Sequence, residues 1–212
     1  MRAVNTLTYM YLQKGKNKMK AIFLDIDGVL NYEGSTSHCG IYLGIDNRRV
    51  KRLARIVKAT DAKIILSSDW KDKYIHGLLA YEQPDHSAKY LMRKLHKQGL
   101  KIYDTIDKKF EWHERADAIL DYINKHNITD YVILDDRMFM GMHEKPLSDH
   151  FIKTIANSGE DRTSGLSEKL TDIAIDILNG DKVGTFIDPD EAKYWHKPNP
   201  IDEDTKLFFK RW

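Results

Sequence analysis

The sequence predicts a single α/β domain, a parallel sheet flanked by helices. Short apolar runs alternate along the chain with stretches of helical period, which is the pattern of successive βα units. Three of those runs end in acidic or hydroxyl residues that an apolar strand does not need: Asp25 to Asp27, Ser67 to Asp69, and Asp135-Asp136. The length, 212 residues, accommodates one medium domain with a small appendage.

The elements follow in order. Ala21–Leu24 reads as the first strand. Asp46–Ala59 reads as a helix capped by Asp46, with Val50, Leu53, Ala54 and Val57 on one face. Lys63–Leu66 is a continuous apolar run after a turn at Thr60-Asp61, the second strand. Helices are expected over Lys71–Tyr81 and His86–Gln98, separated by Pro84, with Gly99 ending the second. Leu100–Tyr103 is a weaker strand. Ala116–His126 is a helix turning Ile119, Leu120 and Ile123 inward. Tyr131–Leu134 is the fourth strand, Phe151–Ile155 a fifth, and Ser167–Leu178 a helix with Ser167 as its cap.

This places the domain at residues 19–180, between a basic extension (1–18) and an aromatic-containing tail (181–212) that carries Trp195, Phe208, Phe209 and Trp212. So many aromatics suggest a tail that packs back onto the domain. The extension lacks the apolar core and cleavage site of a secretory signal. Met19 and Met1 are both candidate natural starts, because Lys14-Gly15-Lys16 requires purine-rich codons of the kind found at a ribosome-binding site.

The net charge of +2 hides a split. Residues 1–20 hold five basic side chains and no acid, and the remainder holds 29 basic against 32 acidic. The body of the chain is therefore not that of a strongly basic nucleic-acid binder. No apolar stretch is long enough for a membrane helix, and the one cysteine, Cys39, cannot form an internal disulfide. These features read as a soluble, cytoplasmic protein without a membrane partner. His38-Cys39 and His113 lack the spacing of a zinc site, and no Gly-rich kinase loop is present.

The strand ends carry the chemistry. In a parallel α/β sheet the carboxyl ends lie along one edge, where such folds bind ligands. Carboxylates gathered there repel one another, and a hard, oxygen-binding cation such as Mg²⁺ is the natural counterweight.

The stretches Phe23-Leu-Asp-Ile-Asp-Gly-Val-Leu-Asn31, Ile65-Leu-Ser-Ser-Asp-Trp-Lys71, Val132-Ile-Leu-Asp-Asp136 and Gly165-Leu-Ser-Glu168 resemble the haloacid dehalogenase (HAD) superfamily. They are most similar to the HAD domain of Swiss-Army-knife RNA-repair proteins. The resemblance spans about Lys20 to Asn179 and implies a Rossmann-like fold with little or no cap. It implies that Asp25 is a nucleophile forming an aspartyl-phosphate, that Asp27 is the general acid and base, and that Ser67 (or Ser68) bonds the phosphoryl group. Arg115, with Lys108 and Lys109 as rivals, would pair with phosphate charge in place of the family's usual Lys. Metal ligation falls to Asp25, to Asp27 through its carbonyl, and to Asp135 or Asp136. Gly28 would allow close backbone approach, and Ser68, Trp70 and Lys71 would contact substrate. Dehalogenating relatives lack the second aspartate, so Asp27 favours phosphate-ester hydrolysis.

The substrate is less constrained. Few residues separate Asn31 from the first helix, so a separate cap domain is not expected, and an open site suits a phosphorylated RNA or DNA end, with a repair enzyme as possible partner. The alternatives are a nucleotide or other small phosphomonoester, or a non-catalytic phosphate-binding module. Arg48, Arg52 and Arg55 share a helix face that would either track a phosphate backbone or be simply solvated. Trp70 would either stack a base or belong to the core.

Overall fold

The computed structural model describes residues 19–40, 42–72, 86–144, 146–156 and 162–181. Five parallel strands form the sheet: β1 (Lys20–Leu24), β4 (Lys63–Leu66), β5 (Ile102–Thr105), β6 (Asp130–Asp135) and β7 (Phe151–Lys153). Their order is β5-β4-β1-β6-β7, with β1 central. The two short strands between β1 and the first helix, β2 (His38–Cys39) and β3 (Tyr42–Leu43), pair antiparallel as a ribbon. Four long helices are described: α1 (Asn47–Thr60), α2 (His86–His96), α3 (Arg115–His126) and α4 (Glu168–Asn179).

Strand β1 is apolar from Ala21 to Leu24 because both of its faces are covered there. On one face Ile22 and Leu24 join Ile64, Leu66, Val132, Leu134 and Ile152 against α1, α2 and α4. On the other, Ala21 and Phe23 join Ile65, Tyr131, Ile133 and Phe151 against α3. Leu53 and Ile56 of α1 and Ala174 and Ile177 of α4 are buried at helical spacing, which fixes how those helices face the sheet.

The caps fall where expected. Asp46 accepts hydrogen bonds from the backbone N–H groups of Arg48 and Arg49, and Ser167 accepts from that of Leu170. The weak strand lies two residues further on than predicted, at Ile102–Thr105, and begins after Gly99 has closed the α2 turn in a left-handed conformation. Phe151–Lys153 is shorter than expected, and Ile155 instead pairs with Gly165 in an isolated antiparallel bridge. The ribbon β2–β3 was not anticipated. Its turn passes through Gly40 at φ +62°, a local signal too short to show strand periodicity. Of the helix expected over Lys71–Tyr81, residues 70–72 are helical and the rest lies outside the described residues. The basic extension, the choice of start and the tail aromatics also lie outside them.

Candidate active site

The hydrogen-bonded ladder runs one residue past β1, β4 and β7. Asp25 N–H donates to the Leu134 carbonyl (2.9 Å), Ser67 N–H to the Leu24 carbonyl (3.0 Å), and Thr154 N–H to the Asp135 carbonyl (2.9 Å). Side chains alternate between faces, so Asp25 follows Phe23, Ser67 follows Ile65 and Asp135 follows Ile133, all onto the α3 side. Helix α3 begins at Arg115, and that residue meets them there. Its Nη1 lies 2.7 Å from Asp135 Oδ2 and 3.2 Å from Asp25 Oδ1, and its Nη2 lies 3.0 Å from Asp69 Oδ1. The guanidinium also sits 4.4 Å from the centre of the Phe139 ring. A cation at a helix N-terminus opposes the helix dipole; three carboxylates offset that here. Neither Lys108, which pairs with Asp72, nor Lys109, which pairs with Asp107 and Asp121, reaches this cluster.

Asp25 and Asp135 are buried, Asp135 completely. One carboxylate oxygen each from Asp25, Asp135 and Asp136 fall within 4.8 Å of one another. Burial, then the neighbouring Asp135 carboxylate, push the Asp25 carboxyl well above its usual range, and Arg115 pulls the other way. Burial pushes Asp135 up to about 6 against the opposing pull of Arg115 and the Arg137 N–H. Asp136 is raised too, again by burial first. Burial also works against the charge on Arg115, but Asp135 and Asp25 outweigh it and the guanidinium holds its proton more tightly than usual.

The donor set is all oxygen and carries more negative charge than one guanidinium balances, which fits a hard divalent cation. Gly28 fits the same picture. It adopts φ +71°, and a Cβ there would collide with the Asp136 carboxyl, so the turn is pressed directly against the acidic cluster. Its carbonyl accepts from Thr154 Oγ1 (2.8 Å), tying the turn to the strand-β7 side of the sheet.

Asp27 is exposed and stands outside the three-carboxylate group, although its charge helps to raise Asp136. Oδ1 accepts from Asn31 Nδ2 (2.7 Å) and Oδ2 from Trp70 Nε1 (2.9 Å). Ser67 Oγ is fully buried and has no hydrogen-bond partner, whereas Ser68 bonds the Asp25 side chain and accepts from Trp70 N–H (3.4 Å). Of the two readings of Trp70, burial fits the core one: the side chain is only 5% exposed, and its indole N–H bonds Asp27. Lys71 is buried and lines a cleft of about 310 Å³ with Asp69, Asp72, Lys108, Phe110 and Glu111.

Two of the three arginines on the helix face expected to track a phosphate backbone are engaged within the chain, while Arg48 is 59% exposed. Arg52 Nε lies 2.9 Å from Glu168, and Arg55 Nη2 lies 2.8 Å from Asp172, both on α4. Two residues had no assigned part in the sequence reading. Asn31 ends the Gly28 turn and Asp69 follows the serines; both look like ordinary turn residues, and only the fold brings them to Asp27 and Arg115.

The chain matches the HAD domain in Swiss Army Knife RNA repair proteins over residues 21–166. It belongs to that family. The match spans the sheet strands and the Asp25, Ser67, Arg115 and Asp135 positions, and it ends one residue before the cap of α4. No curated protein and no solved structure is matched. The HAD family supports a phosphatase-type function in general, and the Asp25, Asp135 and Asp136 cluster is a place where a metal ion could be held. Among the described residues no helix is long and apolar enough to cross a membrane.

Proposed function

We propose that this protein is a Mg²⁺-dependent phosphomonoester hydrolase working through an aspartyl-phosphate on Asp25. The observation that carries this reading is the junction of Asp25, Asp135 and Arg115 beside Asp136 at the carboxyl edge of the sheet. Three clustered carboxylates and one guanidinium suit a site that receives a further dianion only with a cation's help. The carboxylates of Asp25 and of Asp135 or Asp136, with the Asp27 carbonyl, would hold the ion. When bound, Mg²⁺ supplies the positive charge that offsets repulsion between these carboxylates and phosphate.

The chain's own groups do the rest. An Asp25 oxygen bonds to phosphorus as the bond from phosphorus to the leaving oxygen breaks, and Asp27 gives that oxygen a proton. Asp27 then takes a proton from the water that attacks phosphorus and frees Asp25. Arg115 pairs with phosphoryl charge and restrains Asp25. The unpartnered Ser67 hydroxyl is available as a phosphoryl donor, with Ser68 already committed to Asp25. Gly28 lets the backbone approach.

The family's RNA-repair context supports a phosphorylated nucleic-acid end as substrate, and the cleft holding Lys71 and Lys108 would receive the leaving group's side. A small phosphomonoester is the alternative. Phosphate release with Mg²⁺ from 3′- and 5′-phosphorylated oligonucleotides, mononucleotides and an aryl phosphate tests this. Oligonucleotides are expected to turn over most efficiently, with affinity falling steeply as salt rises. Equal or better turnover of mononucleotides at all salt concentrations would move the substrate to the small-molecule class. Binding without any turnover would make the domain a phosphate-binding module.

A further inference from the structure

The mechanism leaves open what aims Asp27, an exposed side chain whose proton must reach the leaving oxygen in line with Asp25. A carboxylate fixed at one oxygen can still swing about its Cβ–Cγ bond, and one fixed at both cannot. Asp27 is held at both. Asn31, four residues on in the same turn, donates from Nδ2 to Oδ1. The orientation of that amide is itself set, because its Oδ1 accepts from Gly28 N–H (2.8 Å) and so its NH₂ group must face Asp27. The second donor arrives from a distant part of the chain: Trp70 Nε1–H reaches Oδ2 from the helical turn that follows β4. Each oxygen keeps a second lone pair for the proton that is transferred.

We infer that Trp70 is a positioning residue for Asp27, its indole N–H holding the carboxylate in the orientation required for proton transfer to the leaving oxygen. This rests on the acid–base role proposed for Asp27. The same turn also carries Asp69, which holds the other end of Arg115, so one short segment after β4 braces both catalytic partners of Asp25. A positioned side chain pre-set for proton transfer needs no reorganisation when the substrate arrives.

The test exploits the leaving group. An alkyl phosphate needs its leaving oxygen protonated, whereas a nitrophenyl phosphate leaves without help. Because kcat/KM covers the steps up to departure of the leaving group, the two substrates separate aim from packing. In the full-length protein, Trp70→Phe keeps an aromatic, if smaller, side chain and removes the N–H. It is expected to lower kcat/KM for the alkyl phosphate by about 10- to 100-fold while changing that for the nitrophenyl ester by no more than about threefold. Asp27→Asn should show the same discrimination, more strongly. Equal losses on both substrates in Trp70→Phe, or none, alongside a discriminating Asp27→Asn, would overturn the inference and leave the Asp27 reading intact. Failure of Asp27→Asn to discriminate would overturn the Asp27 reading and this inference with it. Should Trp70→Phe not fold, the indole N–H resonance of Trp70, assigned by replacing the other three tryptophans, is read in an Asp27→Ala background. It is expected to move, and an unmoved resonance would overturn the contact.

Discussion

Asp135 shows how a single buried acid links the site to stability. Burial raises its folded-state pKa to about 6 from the unfolded value of 3.8. A raised carboxyl favours its neutral form in the fold, so its contribution is fully present below about pH 3.8 and is lost as pH rises through about 6. Asp25 is shifted in the same direction. Metal-free protein is therefore expected to gain little from these groups at pH 7, where a cation would relieve the strain of their charges. Thermal melts at pH 5 and pH 7, with and without Mg²⁺, check this: the ion should raise the melting temperature more at pH 7, since protons compete for the same oxygens at pH 5. An equal rise at both pH values would contradict it. The aspartates and their shared edge were legible in the sequence because apolar strands rarely end in acid. The alternatives Ser67 and Ser68 were not separable there, since strand ends cannot be placed to within one residue. In the fold both stay near Asp25: alternation from Ile65 turns Ser67 to the Asp25 side with an unpartnered hydroxyl, and Ser68 bonds the Asp25 side chain.

At the scale of elements, α1 was read correctly as a helix but incompletely as a surface. Arg49, which sits beside Arg48 on the same helix, is fully buried. It donates twice to the Ser164 carbonyl (2.8 and 3.2 Å), pairs with Asp46 (3.2 Å) and lies 4.1 Å from the Tyr32 ring centre. Sequence periodicity cannot find such a residue, because the carbonyl that takes two of its hydrogen bonds lies 115 positions away. Arg49→Ala strands a buried carbonyl and should cost about 3 kcal/mol in urea unfolding. Arg55→Ala breaks only exposed pairs with Glu168 and Asp172 and should cost about 1 kcal/mol or less. Similar losses for the two would contradict this division. The Gly28 turn is the second element of note. Gly28→Ala meets both a positive φ and the Asp136 side chain, so about 1–3 kcal/mol of destabilisation is expected. Displacing Asp136 should also weaken the Mg²⁺-dependent rise in melting temperature, measured by the same melts.

Across the whole molecule, topology turns scattered motifs into one site. Placing β1 at the centre, with β4 and β6 as its parallel neighbours, brings Asp25, Ser67 and Asp135 side by side although they lie 42 and 68 positions apart along the chain. Helix α3, the one long helix described on its face of the sheet, then delivers Arg115 to them. The β–α alternation and the acidic strand ends made this architecture legible in outline. The braces at Asn31, Asp69 and Trp70 were not, because each depends on a contact with another segment or on the shape of a turn.

The central claim is that Asp25 performs the chemistry. Phosphate release by wild-type protein and by Asp25→Asn, each with Mg²⁺ and with excess chelator, tests it most directly, with melting curves confirming that the variant is folded. Release by wild type that falls by at least about 10³-fold in Asp25→Asn, and that stops on chelation, is the predicted result. A folded Asp25→Asn protein that still turns over at near wild-type rate would contradict it.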